Sequence, residues 1–364
     1  MSVYAGPEIS QSGLVFAYDM GNTNKSWKGA PATNLITNPT NEVIATANEF
    51  AIFADITPIF DTYGTGIYSI SADIKSEVPG DITVYTASGA VEYNIGYYTA
   101  ACERYYKRFY FNNINVAHTD PATTYSNLSF YGTYGTGRKP SIKNVQIEKN
   151  AFCTPFVNGT RSSTQAILDL TNISTVTVNG LNYTSDNYAT INGTSSYIAI
   201  TNSANLRPSS ELTIEYIIKG PNEASWRPIL GYGNGDYGNG NYLVWTEGGT
   251  LNSLCRINNG GTVTEYRQYP GVTISSTTYQ QMTFTMKVGQ SIRSYKNGVD
   301  TNTPTSLPAG GSFHYSGTTS PYQIGGLGSA WLVADVPFVR LYNRALTASE
   351  IQQNFNALRG RFGI

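Results

Sequence analysis

The stretch Phe338-Val-Arg-Leu-Tyr-Asn-Arg-Ala-Leu-Thr-Ala-Ser-Glu-Ile-Gln-Gln-Asn-Phe355 decides how the rest of the chain is read. Its first part, Phe338–Tyr342, is an apolar run interrupted once by Arg340, and its aromatic Phe338 and Tyr342 and β-branched Val339 favour a pleated, half-buried surface. Its second part starts a helix. Thr347 and Glu350 stand in capping-box spacing, so the threonine hydroxyl can satisfy one free N–H of the first turn while the glutamate reaches back to another. Ile351, Phe355 and Leu358 then recur at helical spacing, and Gly360 suits the stop. This is the one convincing helix pattern, and a short helix with a single apolar stripe after a strand predicts a structural lock on the end of a β domain.

Outward from that point, strand-like runs recur at Leu14–Tyr18, Ile67–Ile74, Asp81–Thr86, Tyr105–Phe111, Ser141–Ile147, Leu212–Ile218, Asn241–Thr246 and Gln281–Lys287. Several alternate with period two: Tyr68, Ile70, Ala72 and Ile74 share one face, as do Leu212, Ile214 and Tyr216, which predicts one face on a core and one in water. Asn-Gly pairs at 192–193, 234–235, 259–260 and 297–298 break the runs, and Asn-Gly suits the type I′ hairpin, whose two central residues need positive φ. The expected class is all-β, with two β-sandwich or jelly-roll domains and a short C-terminal helix. A chain of 364 residues has room for about two domains of ~150 residues.

Charge narrows the function. With 23 Lys plus Arg against 24 Asp plus Glu, the net charge is −1, which argues against the basic field that non-specific nucleic-acid binding requires. It also argues against a charge-driven anionic membrane partner. No run approaches the ~18 apolar residues of a membrane span. Met1–Gln11 carries neither a basic nor an apolar core segment, so no secretory signal is expected. Three cysteines, Cys102, Cys153 and Cys255, predict reduced, part-buried thiols rather than a disulfide framework, with a Cys102–Cys153 bridge left for geometry to decide. His118 and His314 stand far apart without ligand spacing, so no zinc site is expected.

The second half resembles a concanavalin A-like (laminin G-like) lectin/glucanase jelly roll. The residues that carry the resemblance are Ile191-Asn-Gly-Thr-Ser-Ser-Tyr-Ile198, Leu212-Thr-Ile-Glu-Tyr-Ile-Ile218, Tyr295-Lys-Asn-Gly298, Tyr322-Gln-Ile-Gly325 and the closing stretch quoted above. That closing stretch, with Leu358-Arg-Gly-Arg-Phe-Gly363, is similar to the end of such domains in tailed-phage virion proteins. Gly13-Leu-Val-Phe-Ala-Tyr-Asp-Met-Gly-Asn22 is similar to their opening strand, which there leads directly into a segment like Ile167-Leu-Asp-Leu-Thr-Asn172. The resemblance therefore implies an N-terminal arm (1–12), a jelly roll made of 13–35 plus 162–364, and a second sandwich, 36–161, inserted in its first loop; loop closure entropy grows slowly enough to tolerate this. The alternative is two domains in series. Val145-Gln-Ile-Glu-Lys149 and Thr154-Pro-Phe156 of the inserted part resemble the exit of carbohydrate-binding-module-like sandwiches.

Glucanases on this jelly roll carry a Glu-x-Asp-x-(x)-Glu cluster whose period-two spacing puts acid and nucleophile on one face. Here Glu211 and Glu215 share a face with no Asp between them, and both are expected in solvent if Leu212, Ile214 and Tyr216 point inward. Asp335 stands alone between Val333 and Val336, and there is no Gly-x-Ser-x-Gly. No catalytic residue is assigned. For recognition the leading candidate is the Gly-rich loop and its flanks: Trp226, Tyr232, Asp236, Tyr237, Asn239, Tyr242 and Trp245 offer flat rings beside polar groups, as sugars require. The competing reading makes both Trp packing residues and the loop a turn. A second candidate is Tyr93–Tyr98 with Tyr131 and Tyr134, against a reading as a strand face or subunit contact. No cofactor is expected; calcium has only the local hints Asp19 with Asn22 and Asp236 with Asn234. The resulting expectation is a structural surface protein of a tailed-phage virion (capsid decoration, fibre or tail-associated), made in the host cytoplasm. Its partners would be other virion proteins, copies of itself and host glycans, without nucleic acid or membrane insertion. The alternatives are a glycan-cleaving depolymerase or a freestanding lectin.

Overall fold

In the strand Glu211–Lys219, Leu212, Ile214 and Tyr216 turn into a core where all three are buried, as their alternation requires. The strand belongs to a computed structural model that describes residues 8–46, 48–87, 92–119, 125–183, 189–232, 242–315 and 319–364. The chain forms two compact units: one comprises the chain up to Gly29 together with Ser163–Ile364, the other Ala30–Ser162. The sequence reading gave residues 30–35 to the jelly roll. They lie instead in the second unit, where Ala32–Thr33 pairs with Thr160–Arg161 and the Leu35 N–H donates to the Ile147 carbonyl.

The first unit is a sandwich of two antiparallel sheets among the described residues. One runs Asn182–Tyr183, Ala189–Asn192, Val333–Tyr342, Glu211–Lys219, Gln280–Lys287, Ser291–Lys296, Val299–Asp300, with Leu14–Asp19 also on Val333–Tyr342 and Thr305–Ser306 on Ser291–Lys296. The other runs Val176–Asn179, Tyr197–Ile200, Tyr322–Ile324, Arg227–Tyr232, Leu243–Glu247, Thr250–Asn259, Thr262–Gln268, with Ser312–Phe313 beside Thr250–Asn259. Between them lies a core that includes Phe16, Tyr18, Ile198, Leu230, Val244, Phe284, Tyr322 and Leu341. This is the jelly-roll architecture, all-β with a short C-terminal helix.

The hairpin at Asn297-Gly298 has the expected backbone, φ 49° and 79°, and joins Lys296 directly opposite Val299. At 259–260 the expectation shifts by one residue: Asn259 pairs with Thr262 in the ladder, and Gly260 and Gly261 take the positive φ values. Asn234-Gly235 lies outside the described residues.

The closing helix spans Ala348–Phe362, and both halves of its capping box form: the Glu350 N–H donates to Thr347 Oγ1 (3.3 Å) and the Thr347 N–H to Glu350 Oε2 (2.9 Å). It passes through Gly360, whose φ stays helical, and stops at Gly363 in the left-handed conformation. Its apolar stripe covers the outer face of the first sheet, with Ile351 against Tyr295 and Tyr342, and Leu358 against Ile217 and Phe338. Residues read as an arm are tied to the same place: the Ser10 N–H donates to Asn354 Oδ1 (2.9 Å) and Tyr342 Oη to the Ser10 carbonyl (3.1 Å).

The second unit is a smaller sandwich. Its five-stranded sheet runs Val43–Ile44, Pro140–Glu148, Gly66–Ser76, Lys107–His118, Tyr93–Asn94; its four-stranded sheet runs Phe50–Asp55, Asn127–Tyr131, Gly80–Thr86, Tyr97–Cys102. Ile70, Ile74, Ile82, Val84, Leu128 and Phe130 are among the residues that fill it. A short helix, Thr57–Tyr63, was not expected from sequence; Pro58 starts it, and at seven residues it shows too little periodicity to read.

All three cysteines are free and buried, so Cys102 and Cys153 form no bridge. Burial pushes the thiols up, to about 12 for Cys102 and Cys255 and about 11 for Cys153. A soluble thiol reagent should therefore leave the native chain unlabelled and modify all three thiols in denaturant. Rapid labelling of the native chain would contradict this packing.

Candidate functional site

The loop candidates divide at the strands. Asp236, Tyr237 and Asn239, with Asn234, lie outside the described residues. Tyr232, at the end of the strand Arg227–Tyr232, and Tyr242, just before the strand Leu243–Glu247, point into the sandwich and are only 5% and 2% exposed. Both rings pack on Tyr322, Tyr232 edge-on at 5.8 Å and Tyr242 stacked at 5.1 Å. The Tyr242 hydroxyl donates to the Leu206 carbonyl at 3.1 Å, and burial raises its phenol well above the ordinary range. These two rings are core residues, which corrects their reading as ligand contacts.

Trp245 alternates to the opposite face of the same sheet, and there too it is buried. A satellite core of Leu243, Trp245, Leu254 and Leu327, with half-buried Trp226 against it, covers this outer face. Leu327 comes from the hairpin Gly326–Leu327/Ala330–Trp331. Arg267 stands over the Trp245 ring at 5.9 Å, Tyr269 meets it edge-on, and the indole N–H donates to Glu247 Oε2 at 3.3 Å. Of the described candidates only Trp226 keeps appreciable exposure, so Trp245 is also corrected to a packing role.

Glu215 does not face solvent as expected. It lies on the outer face of its sheet, but the closing helix covers that face and the carboxylate is fully buried. Arg340 sits 3.6 Å away, itself 4% exposed; Asn354 Nδ2 donates to Glu215 Oε2 at 2.9 Å, and Gln281 donates to Oε1. Burial raises the Glu215 carboxyl, and Arg340 foremost pulls it back down. Glu211 pairs with Lys287 at 2.9 Å, which lowers its carboxyl, and accepts the Ala345 N–H at 3.1 Å. Asp335 holds Lys219 at 3.1 Å and Tyr279 Oη at 3.3 Å. Each carboxylate that the glucanase comparison singled out is engaged by a cation, and Glu215 is closed off from any substrate.

The calcium hint at Asp19 meets the same obstacle. Arg361 takes both carboxylate oxygens, at 2.8 and 2.9 Å, so the charge a cation would use is already neutralised. Asn22 Oδ1 caps a turn by accepting the Lys25 N–H. Among the described residues no three His, Cys, Asp or Glu side chains converge as a metal site. Among the same residues no helix is long and apolar enough to cross a membrane.

The tyrosines of the second unit fare differently. Tyr93 is buried against Phe60 and His118, and Tyr98 turns inward beside Phe111. Tyr97 and Tyr131 point outward from the four-stranded sheet, joined there by Tyr85 and Phe50, which the sequence reading did not single out. Phe50 lies directly opposite Tyr131, Tyr131 is one pleat diagonal from Tyr85, and Tyr85 lies directly opposite Tyr97. The last pair stacks at 5.4 Å with 17° between ring planes, and Tyr97 remains 73% exposed. Partial burial raises the Tyr85 phenol, with Tyr97 and Tyr131 next in effect. The Tyr134 N–H donates to Tyr131 Oη at 2.7 Å, fixing that ring to the loop after its strand. Tyr134 is itself exposed in that loop rather than on the sheet.

The first unit has the concanavalin A-like (laminin G-like) lectin jelly-roll fold. The family model of the concanavalin A-like lectin/glucanases superfamily matches residues 192–352. No curated protein matches the chain. Among solved structures, the binding domain of Paraclostridial Mosquitocidal Protein 1 aligns at 20% identity and a TM-score of 0.39, over 52% of this chain and 49% of that one. The botulinum neurotoxin serotype D ligand binding domain, in complex with N-acetylneuraminic acid, aligns at 9% and 0.41, over 54% and 49%. Trypanosoma rangeli sialidase with the inhibitor DANA aligns at 17% and 0.38, over 54% and 31%. The matches thus span about half the length of the toxin domains and under a third of the sialidase.

Proposed function

We propose that the chain is a non-hydrolytic, lectin-like surface protein of a tailed-phage virion, acting by assembly and by contact with host glycans. The observation that carries the non-hydrolytic part is Glu215, one of the two carboxylates that share a strand face, which is closed beneath the C-terminal helix and paired with Arg340 and so cannot act as half of an open acid pair. The virion assignment is supported by the resemblance of Gly13–Asn22 and of Phe338–Gly363 to phage lectin-like domains. The balanced charge and the wealth of Tyr and Asn suit broad, wet interfaces.

Immunogold labelling of intact particles from the source lysate tests the assignment. Label at a fixed place on capsid or tail is the expected result; unlabelled particles with soluble antigen in the lysate would overturn it and favour a freestanding lectin. Incubation of the purified chain with host polysaccharide should release no reducing ends, and release would establish the depolymerase instead.

A further inference from the structure

We infer that the outward face of the four-stranded sheet in the second unit is a binding platform for a neutral glycan chain, with Tyr97 and Tyr85 as its principal contacts. This rests on the reading of the chain as a glycan-contacting protein and gives that contact a place. Phe50, Tyr131, Tyr85 and Tyr97 place one ring on each of four adjacent strands, with Tyr85 and Tyr97 stacked on each other. At ~4.8 Å between strands the band spans about 14 Å, room for a short oligosaccharide rather than one sugar ring.

The chemistry of the face selects the occupant. Pyranose rings present C–H faces that pack on aromatic rings and hydroxyls that need polar partners. Tyr85 occupies one side of the Tyr97 ring, and the high exposure of Tyr97 leaves the other side open. Thr83 and Thr99, directly opposite each other, place hydroxyls beside the band. The charged side chains that alternate onto this face are Asp55 and Asp81, at its margins. Arg138, next to the sheet, is held by the carbonyls of Pro79, Asp81 and Gly132 at 3.0–3.3 Å. On the described strands the only charged side chains that alternate onto this face are those two carboxylates, so an acidic sugar laid along the rings would meet like charge and a neutral chain is the complementary ligand.

The full chain should be screened on printed oligosaccharides of glucose, mannose and galactose and on sialylated counterparts, with hits quantified by calorimetry. Neutral oligosaccharides should bind in preference to sialylated ones. Tyr97→Ala and Tyr85→Ala should each weaken binding at least about tenfold. Tyr110→Ala, an exposed tyrosine on the other sheet of the same unit, should leave it unchanged. Binding that survives both platform variants would overturn this face while leaving glycan contact intact. Binding to no glycan would overturn both. Self-association in sedimentation that disappears in Tyr97→Ala would make the face a contact between copies and overturn the glycan platform. Near-native circular dichroism of Tyr97→Ala is expected, since little of that ring is packed.

Discussion

Arg340→Met should destabilise the chain by roughly 3–5 kcal/mol in equilibrium denaturation, the usual range when one partner of a buried ion pair is removed. The guanidinium lies 3.6 Å from the Glu215 carboxylate and 4.2 Å above the Phe338 ring, sealed under the closing helix. Methionine keeps much of the stem's packing, so the loss falls mainly on the stranded carboxylate. Asn354 and Gln281 still donate to it, but the positive charge that compensated its burial is gone. The pH dependence follows from direction. Glu215 already titrates above an unfolded glutamate, and losing Arg340 drives it higher. Above the unfolded value the native state then holds a proton that the unfolded state has released. Stability therefore falls as pH rises through the window between the two. The deficit of Arg340→Met should be smaller near pH 5 than at pH 8. The double variant Arg340→Met with Glu215→Leu should recover much of the loss, because replacing a whole buried pair by apolar groups is often neutral. A loss independent of pH and not recovered in the double variant would mean that helix docking, not charge, governs the site.

The same residues explain what could be read from sequence. The closing helix was legible because its signals are local: Thr347 and Glu350 cap it, and Ile351, Phe355 and Leu358 mark its face. Its end was misplaced because a glycine stops a helix through a left-handed backbone, which Gly363 adopts and Gly360 does not. Period two correctly assigned Leu212, Ile214 and Tyr216 to the core but misled at Glu215, since the cover over the opposite face arrives from a helix more than a hundred residues later. Trp245 failed for the same reason, its outer face being covered in part by Leu327, about eighty residues on. The aromatic band was legible only at Tyr97 and Tyr131. Phe50 and Tyr85 join it because the strands order as Phe50–Asp55, Asn127–Tyr131, Gly80–Thr86, Tyr97–Cys102, a pairing that no local pattern encodes.

Asp169→Ala should destabilise the first unit by about 2–4 kcal/mol, through backbone donors rather than through charge. The carboxylate is 4% exposed and accepts from the N–H groups of Ala17, Thr171, Ile173 and Ser174 at 3.0–3.1 Å, and from Thr171 Oγ1 at 2.7 Å. Three of those amides shape the turn after Asp169. The fourth belongs to the strand Leu14–Asp19, which is separated from the turn in sequence by the whole second unit. Alanine removes every acceptor at once, and the buried Ala17 amide in particular has little water to replace it. Asn is the informative comparison. It keeps one acceptor oxygen but replaces the other with an NH₂ that would face the Ile173 and Ser174 amides or the Ala17 amide, donor against donor. Asp169→Asn should therefore lose more than half of what Asp169→Ala loses, although it is nearly isosteric. The first strand gives a second readout. Its remaining hold includes the ladder to Val333–Tyr342 and the Arg361–Asp19 pair, so hydrogen exchange at Leu14–Asp19 should accelerate in Asp169→Ala more than in the central strand Glu211–Lys219. Equal acceleration in both strands would mean that the unit opens only as a whole and that Asp169 is not a specific tie on the first strand.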